Sequence, residues 1–312
     1  MKKKRIVVIG GGTGTYTVLS GLKEYDVDLT AIVSMADDGG STRILREEFG
    51  ILPPGSVRPA MVALSRAEKS LADLFTFRFE DGNGLSGHNF GNLFITALTK
   101  QLGSFEKAVK EAGKLLQIKG QVIPSTLNNC TLMAELENGK IVEGEHAIDV
   151  PKHSGKLKIK KVWLKGTCKA NPRAVEAILK ADLVVLGPGD LFSSILPNLL
   201  LLGIKNAVKK TRGKKVYVCN IMTKYGETSS FEAKDFVSVM EEYLGKNVLD
   251  YIVCNTKKPS ALRIAKYEKA HSEFVKCGFQ NPSFRVIAKP LVRDKGFIRH
   301  DPKKLAHVLL SL

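Results

Sequence analysis

Apolar residues in this chain come in short runs, each ending in glycines or polar residues, and between the runs the apolar spacing switches to a helical period. Residues 5–9, Arg-Ile-Val-Val-Ile, stop at Gly10-Gly11-Gly12-Thr13-Gly14 and give way to 15–22, whose spacing suits a helix. Strand, glycine turn, helix is the opening of a βαβ unit. A second strand at 29–35 ends in Ala36-Asp37-Asp38-Gly39-Gly40-Ser41-Thr42. Further apolar runs at Leu183–Leu186, 216–219 and 251–254 each lead through small or polar residues into a helical stretch, such as 232–244. This alternation predicts an α/β protein: a mostly parallel sheet with helices on both faces, and a ligand at the carboxyl ends of the strands.

Residues 119–165 break the alternation. Strands at Thr131–Leu136 and 140–145 flank Glu137-Asn138-Gly139, and Asn-Gly is a hairpin signal, so 119–165 is expected to be a β-rich insertion. A loop at 80–87 leads into a helix predicted at 92–100. No internal repeat or low-complexity linker divides the chain, so 1–312 is expected to be one domain carrying this insertion.

Composition changes this picture only at the surface. Hydrophobic residues are 44% and charged residues 25%, as in a globular protein, and 48 Lys and Arg against 31 Asp and Glu give a net charge of +17. The surplus lies in the second half: residues 1–150 hold 17 basic and 18 acidic side chains, residues 151–312 hold 31 and 13. Lys152, Lys156, Lys158, Lys160, Lys161, Lys165 and Lys169 form a stretch with only Trp163 as aromatic company, which reads as a solvated face and leaves nucleic acid disfavoured as a partner. Cys130, Cys168, Cys219, Cys254 and Cys277 are odd in number and contain no CxxC pair, so neither a disulfide framework nor a zinc site is expected, and no metal ligands are assigned. With no signal-peptide pattern and no run of the roughly 20 apolar residues a membrane span requires, a reducing cytoplasm is expected.

The candidate chemistry sits at the strand ends. The first glycine loop presents backbone N–H groups at a helix N-terminus, where a phosphate can approach; the same loop can equally be a structural turn, because Gly10-x-Gly12-x-x-Thr15 lacks the third small residue of the dinucleotide fingerprint. Asp37 and Asp38 can orient a ribose hydroxyl, bind a metal, or cap the following helix. Gly187-Pro-Gly189-Asp190-Leu-Phe-Ser193-Ser194 is a second candidate anion nest, and Asn220, Thr223 and Asn255 follow the next two strands. His88, in Gly87-His88-Asn89-Phe90-Gly91-Asn92, can donate to phosphate, work as acid or base, or be structural. Asp301 and Pro302 are the expected cap and first turn of a helix, leaving Arg299 and His300 to face a ligand. A nicotinamide dehydrogenase would rest on the glycine loop and Asp37 alone, with no acid–base set beside them.

Taken in order, GGGTGT (10–15), ADDGGST (36–42), PPGSVR (53–58), GHNFGNL (87–93), GPGDLFSSILPNLL (187–200), NIMTKYGET (220–228) and RHD (299–301) resemble the gluconeogenesis-factor family and its relatives, the 2-phospho-L-lactate transferases of deazaflavin coenzyme synthesis. The SSILPNLL, MTKYGET and RHD stretches look like the gluconeogenesis-factor branch. The resemblance implies a Rossmann-like fold and a nucleotide or nucleotide-sugar ligand, UDP-N-acetylglucosamine, held in a regulatory rather than catalytic role that affects cell shape and envelope precursor supply. Ligand contacts are then expected from Gly11, Gly12, Thr13, Asp37, Asp38, Ser41, Thr42, His88, Asn92, Gly189, Ser193, Ser194, Asn220, Thr223, Asn255 and Arg299. A protein partner in regulation and a homo-oligomer are further expectations. The alternative is a transferase acting on a deazaflavin-type acceptor, with Asp37 and Asp38 catalytic, holding a divalent metal or positioning the acceptor hydroxyl. Arg43, Ser56, Pro59, Lys224 and Tyr225 depart from the family pattern, and Ser56 removes an acid that relatives carry.

Overall fold

The computed structural model describes residues 3–280 and 282–312. Seven strands form one parallel sheet: β1 (Lys4–Gly10), β2 (Val27–Val33), β3 (Gln121–Pro124), β7 (Leu183–Leu186), β8 (Lys214–Val218), β9 (Tyr251–Asn255) and β10 (Arg285–Lys289). The remaining three, β4 (Thr131–Leu136), β5 (Ile141–Glu143) and β6 (Ile159–Lys165), form a small antiparallel sheet ordered β5-β4-β6. The large sheet is ordered β10-β9-β8-β7-β1-β2-β3, and every neighbouring pair is parallel.

Burial follows the two-residue period of the strands. Ile6 and Val8 of β1 point to one face and pack with the helices Gly12–Leu22, Pro54–Leu64, Phe105–Leu115 and Pro302–Leu310; Val7 and Ile9 point to the other, with Pro172–Lys180, Leu202–Lys210 and Ala233–Leu244. Strands covered on both faces are apolar throughout rather than alternating, which is why Leu183–Leu186 is legible as a continuous run. The helix expected at 92–100 extends over Phe90–Leu102, with Asn89 accepting from the Asn92 amide as its cap, and Asp301 caps the last helix through the Lys303 and Lys304 amides.

The stretch 119–165 divides. Its first strand, β3, joins the large sheet beside β2, and only β4, β5 and β6 make the antiparallel sheet, accompanied by a short helix at Glu145–Asp149. Leu132, Ala134, Leu136, Val142, Ile159 and Val162 of the small sheet are buried in the same apolar cluster as Val7, Ile9 and Val184. One expectation is corrected here: Cys130 and Cys168 are joined by a disulfide, with Cα atoms 5.9 Å apart. Their distance along the chain hides that β4 and β6 are neighbours, with Thr131 opposite Lys165, so the residues flanking that pair are brought together.

Among the described residues no single helix is long and apolar enough to cross a membrane; Leu191–Leu199 and Leu202–Lys210 reach that composition only as a pair bent by 77°, and most of their apolar residues are core.

Candidate functional site

The chain runs from β1 to β2 on one side and returns from β3 to β7 on the other, so the strand order switches between β1 and β7. Ligands of open parallel sheets bind outside the carboxyl ends of the strands at such a switch. A cavity of about 680 Å³ lies there. The loops that follow β1 and β7 touch at its floor: a Cβ on Gly14 would stand 2.1 Å from the Pro188 carbonyl oxygen, so only glycine permits this approach. Gly12 adds a φ of +59°, at the left-handed start of its helix.

Of the residues expected at the site, Gly11, Gly12, Thr13, Gly189, Ser194, Asn220, Thr223 and Arg299 line this cavity. The Asn220 side-chain Oδ1 accepts from the Gly189 amide at 3.2 Å and joins the β7 and β8 loops. Thr223 faces the cavity but is buried, and its hydroxyl accepts from the Glu273 amide. Arg299 lays its guanidinium over the Phe297 ring, 5.1 Å from the centroid.

A smaller cavity of about 120 Å³ opens on the other side of the first glycine loop, lined by Gly11, Gly12, Ser34, Asp37, Gly55, Ser56, Glu145, Ser193 and Ser194. Asp37 belongs here and not in the main cavity. Its two carboxylate oxygens accept from the Gly39 amide and the Thr42 hydroxyl, each at 3.0 Å, and burial raises its pKa against those two donors. Asp38 accepts from the His146 amide at 2.7 Å, tying its loop to the helix Glu145–Asp149.

Asp38, Ser41, Thr42, His88, Asn92 and Asn255 line neither cavity. His88 Nδ1 and the Ser41 hydroxyl are 3.0 Å apart and buried, and the Asn92 side-chain Oδ1 accepts from Arg58 Nε at 3.0 Å. Asn255 accepts from the Leu291 and Val292 amides and donates to the Lys257 carbonyl, fastening the chain after β10 to the end of β9. Ser193 is turned away from the main cavity: its hydroxyl donates to Glu227 at 2.7 Å, while the Phe192 and Ser193 amides donate to the other Glu227 oxygen.

The structure adds residues that were not among the expected ligand contacts. Asp149, Asp190, Lys224, Tyr225, Tyr267 and His271 line the main cavity. One carboxylate oxygen from each of Asp149, Asp190 and Glu227 lies within 4.8 Å of the other two. Lys224 Nζ stands 2.9 Å from Asp149 Oδ1. Burial works to depress the Lys224 ammonium, but Asp190 and Asp149 overcome it and hold the lysine charged. Burial raises Asp190, and burial with the nearby Asp190 charge pushes Glu227 up to about 8 against the donors of Ser193 and Phe192. Glu145 is pushed up to about 9, by burial first and then by the charges of Asp37 and Asp149. His300 also lines the main cavity; burial holds its pKa down at about 4, and its Nε2 has no hydrogen-bond partner among the described residues. Asp190, Lys224 and Glu227 lie inside the GPGDLFSS and MTKYGET motifs, so a signal for them was present; Asp149 and Glu145 had none, because the helix that carries them reaches the site only through the packing of the small sheet.

The sequence profile of the 2-phospho-L-lactate transferase CofD family matches residues 6–292. The chain is 46% identical over 275 residues to the gluconeogenesis factor of Halalkalibacterium halodurans, covering 88% of this chain and 84% of that protein. It is 40% identical over 319 residues to the gluconeogenesis factor of Bacillus subtilis, covering 100% and 98%. A crystal structure of protein BH3568 from Bacillus halodurans superposes with a TM-score of 0.95 at 41% identity, covering 99% of this chain and 100% of that one.

Proposed function

The chain belongs to the 2-phospho-L-lactate transferase CofD family, among its gluconeogenesis factors, and from that premise we propose that it is a cytoplasmic nucleotide-sugar-binding regulator whose ligand is UDP-N-acetylglucosamine. The observation that carries this reading is the meeting of two glycine loops, after β1 and β7, at the floor of a cavity of about 680 Å³. That volume falls within the roughly 300–1,000 Å³ of small-molecule sites. The diphosphate rests on the amides of Gly11, Gly12 and Thr13 at a helix N-terminus, with Ser194 beside them. Arg299 pairs with phosphate, its planar donors matching two oxygens at once. Binding acts on envelope precursor supply and cell shape through a protein partner. A regulator rather than an enzyme is favoured because the Asp37 and Asp38 carboxylates are bonded to their own surroundings and lie outside the main cavity.

Isothermal titration tests the reading: heat with UDP-N-acetylglucosamine at micromolar concentration supports it, and no heat with this ligand but heat with another nucleotide overturns it. One observation favours a transferase instead, namely that Asp37, Ser56 and Glu145 share the smaller cavity with the first glycine loop, where an acceptor hydroxyl would sit. Metal-dependent consumption of a nucleoside-diphosphate-linked phospholactate in the presence of a deazaflavin acceptor would establish that alternative.

A further inference from the structure

Cys130 and Cys168 line neither the main nor the smaller cavity, yet the bond between them closes the neck of the antiparallel ribbon. Inside that covalent loop, 131–167, lies the helix Glu145–Asp149, which gives Glu145 to the smaller cavity and Asp149 to the main one. Contacts run from Cys130 to both cavities. Asn129, its neighbour, accepts through Oδ1 from Arg46 Nη2 at 3.2 Å, and Arg46 Nη1 donates to the Asp37 carbonyl at 2.7 Å. On the other side of Cys130, the Leu132 carbonyl accepts at 2.8 Å from the amide of Gly144, the cap residue of that helix. The two sulfurs differ in access. Cys130 is 2% exposed, whereas Cys168 is half-buried and lines a separate surface cavity of about 590 Å³ with Leu179 and Leu202.

We propose that the Cys130–Cys168 bond is a reversible redox latch that restrains local opening of the ribbon and, through it, sets ligand affinity. Its effect on affinity rests on the nucleotide-sugar reading above; its effect on the ribbon does not. In a reducing compartment a protein disulfide is ordinarily transient and redox-sensing. The neck also suits a bond that opens without unfolding the chain. The Lys169 amide stays on Asn128 Oδ1 at 3.0 Å, the Asn171 amide on the Ser125 carbonyl at 2.8 Å, and Leu132 and Val162 remain in the core shared with Val7 and Val184. The step is thiol–disulfide exchange with a dithiol. A thiolate of the dithiol attacks Cys168 Sγ, the S–S bond breaks, and Cys130 leaves with the electron pair and takes up a proton. The second thiolate then closes on the first sulfur of the reagent, which departs as a cyclic disulfide, and Cys168 leaves and is protonated. Two electrons and two protons pass to the protein, and a low-molecular-weight disulfide reverses the step. Losing the cross-link gives the ribbon more freedom, and a site whose wall is in place for a smaller fraction of the time binds more weakly by that fraction.

The test compares the full chain treated natively with glutathione disulfide and with dithiothreitol. Alkylation in denaturant after each treatment, followed by peptide mapping, should find Cys130 and Cys168 linked in the first sample and both alkylated in the second. Amide hydrogen exchange over 131–167 should rise at least about tenfold on reduction, while exchange in Lys4–Gly10 and Leu183–Leu186 stays the same and reports an intact frame. Calorimetry should show UDP-N-acetylglucosamine binding the reduced chain at least about threefold more weakly. Cys168→Ser should match the reduced wild type and ignore both reagents; should it fail to fold, the reduced wild type supplies the same comparison. A pair that stays unlinked with glutathione disulfide, or that resists dithiothreitol, overturns the latch, as does equal ribbon exchange in the two states or a Cys168→Ser protein that still responds. Ribbon exchange that changes while affinity does not overturns its control of the site. If UDP-N-acetylglucosamine binds neither state, the nucleotide-sugar reading fails, and mapping and exchange still decide the latch.

Discussion

The Ser193 hydroxyl donates to the Glu227 carboxylate at 2.7 Å, so the loop after β7 is held by a fully buried acid from the loop after β8. The second oxygen of that carboxylate accepts from the Phe192 and Ser193 amides at 2.8 and 3.1 Å. Above about pH 8, where Glu227 is ionised and accepts on both oxygens, Glu227→Gln puts an amide NH₂ against one set of these donors. A buried donor left unpaired costs about 1–3 kcal/mol, so urea unfolding should show a loss in that range, with UDP-N-acetylglucosamine affinity falling as the Ser194 wall loosens. An unchanged unfolding midpoint would show that the loop does not depend on this acid.

Glu145 gives the stability a pH dependence of definite sign. Its pKa is about 9 in the folded chain against the ordinary 4.5, so between those values the folded state holds a proton that the unfolded state has released. The contribution of Glu145 is therefore full below about pH 4.5 and is lost as pH rises toward 9. Glu227 and Asp190 are raised as well and act in the same direction. Thermal melts from pH 5 to 9 should show a falling midpoint, and Glu145→Gln should flatten part of that fall. A midpoint that climbs with pH over this range would contradict the assignment.

Gly14→Ala forces a methyl group against the Pro188 carbonyl and must part the two loops. Overpacking of this kind costs about 1–3 kcal/mol. The separation should also weaken UDP-N-acetylglucosamine binding, since both loops line the same cavity. Calorimetry on Gly14→Ala beside Gly103→Ala, whose Cβ would meet open space but whose φ is +64°, separates the steric effect from the cost of a left-handed backbone.

Arg299→Ala removes the guanidinium from the cavity wall. If it pairs with phosphate, affinity for UDP-N-acetylglucosamine falls at least about tenfold, and the salt dependence of binding becomes shallower. Titration at two ionic strengths reads both effects. Equal salt dependence in the two proteins would place the phosphates elsewhere.

Much of the sheet was legible because its strands are apolar runs closed by glycine or polar residues; Leu183–Leu186 and Thr131–Leu136 fall where the pattern puts them. Position in the sheet was not. β3 has the same local look as the strands after it, and only its pairing with Val27–Val33 separates it from the antiparallel insertion. At the site, glycines and strand-end polar residues announce themselves, since backbone geometry demands them. The roles of acidic residues do not, because role depends on partners. Asp37 sits where a ribose-binding acid belongs, yet Thr42 and Gly39 hold it, and Asp149 reaches the cavity from a short helix with no motif of its own.

That origin of Asp149 gives the cavity two structural sources. The loops that suit a diphosphate grow from the parallel sheet and are braced by its core, while one acidic wall is delivered by an antiparallel ribbon that leaves the sheet after β3 and rejoins it before β7. Because the small sheet shares its apolar core with β1 and β7, that wall is set by the same packing that holds the frame.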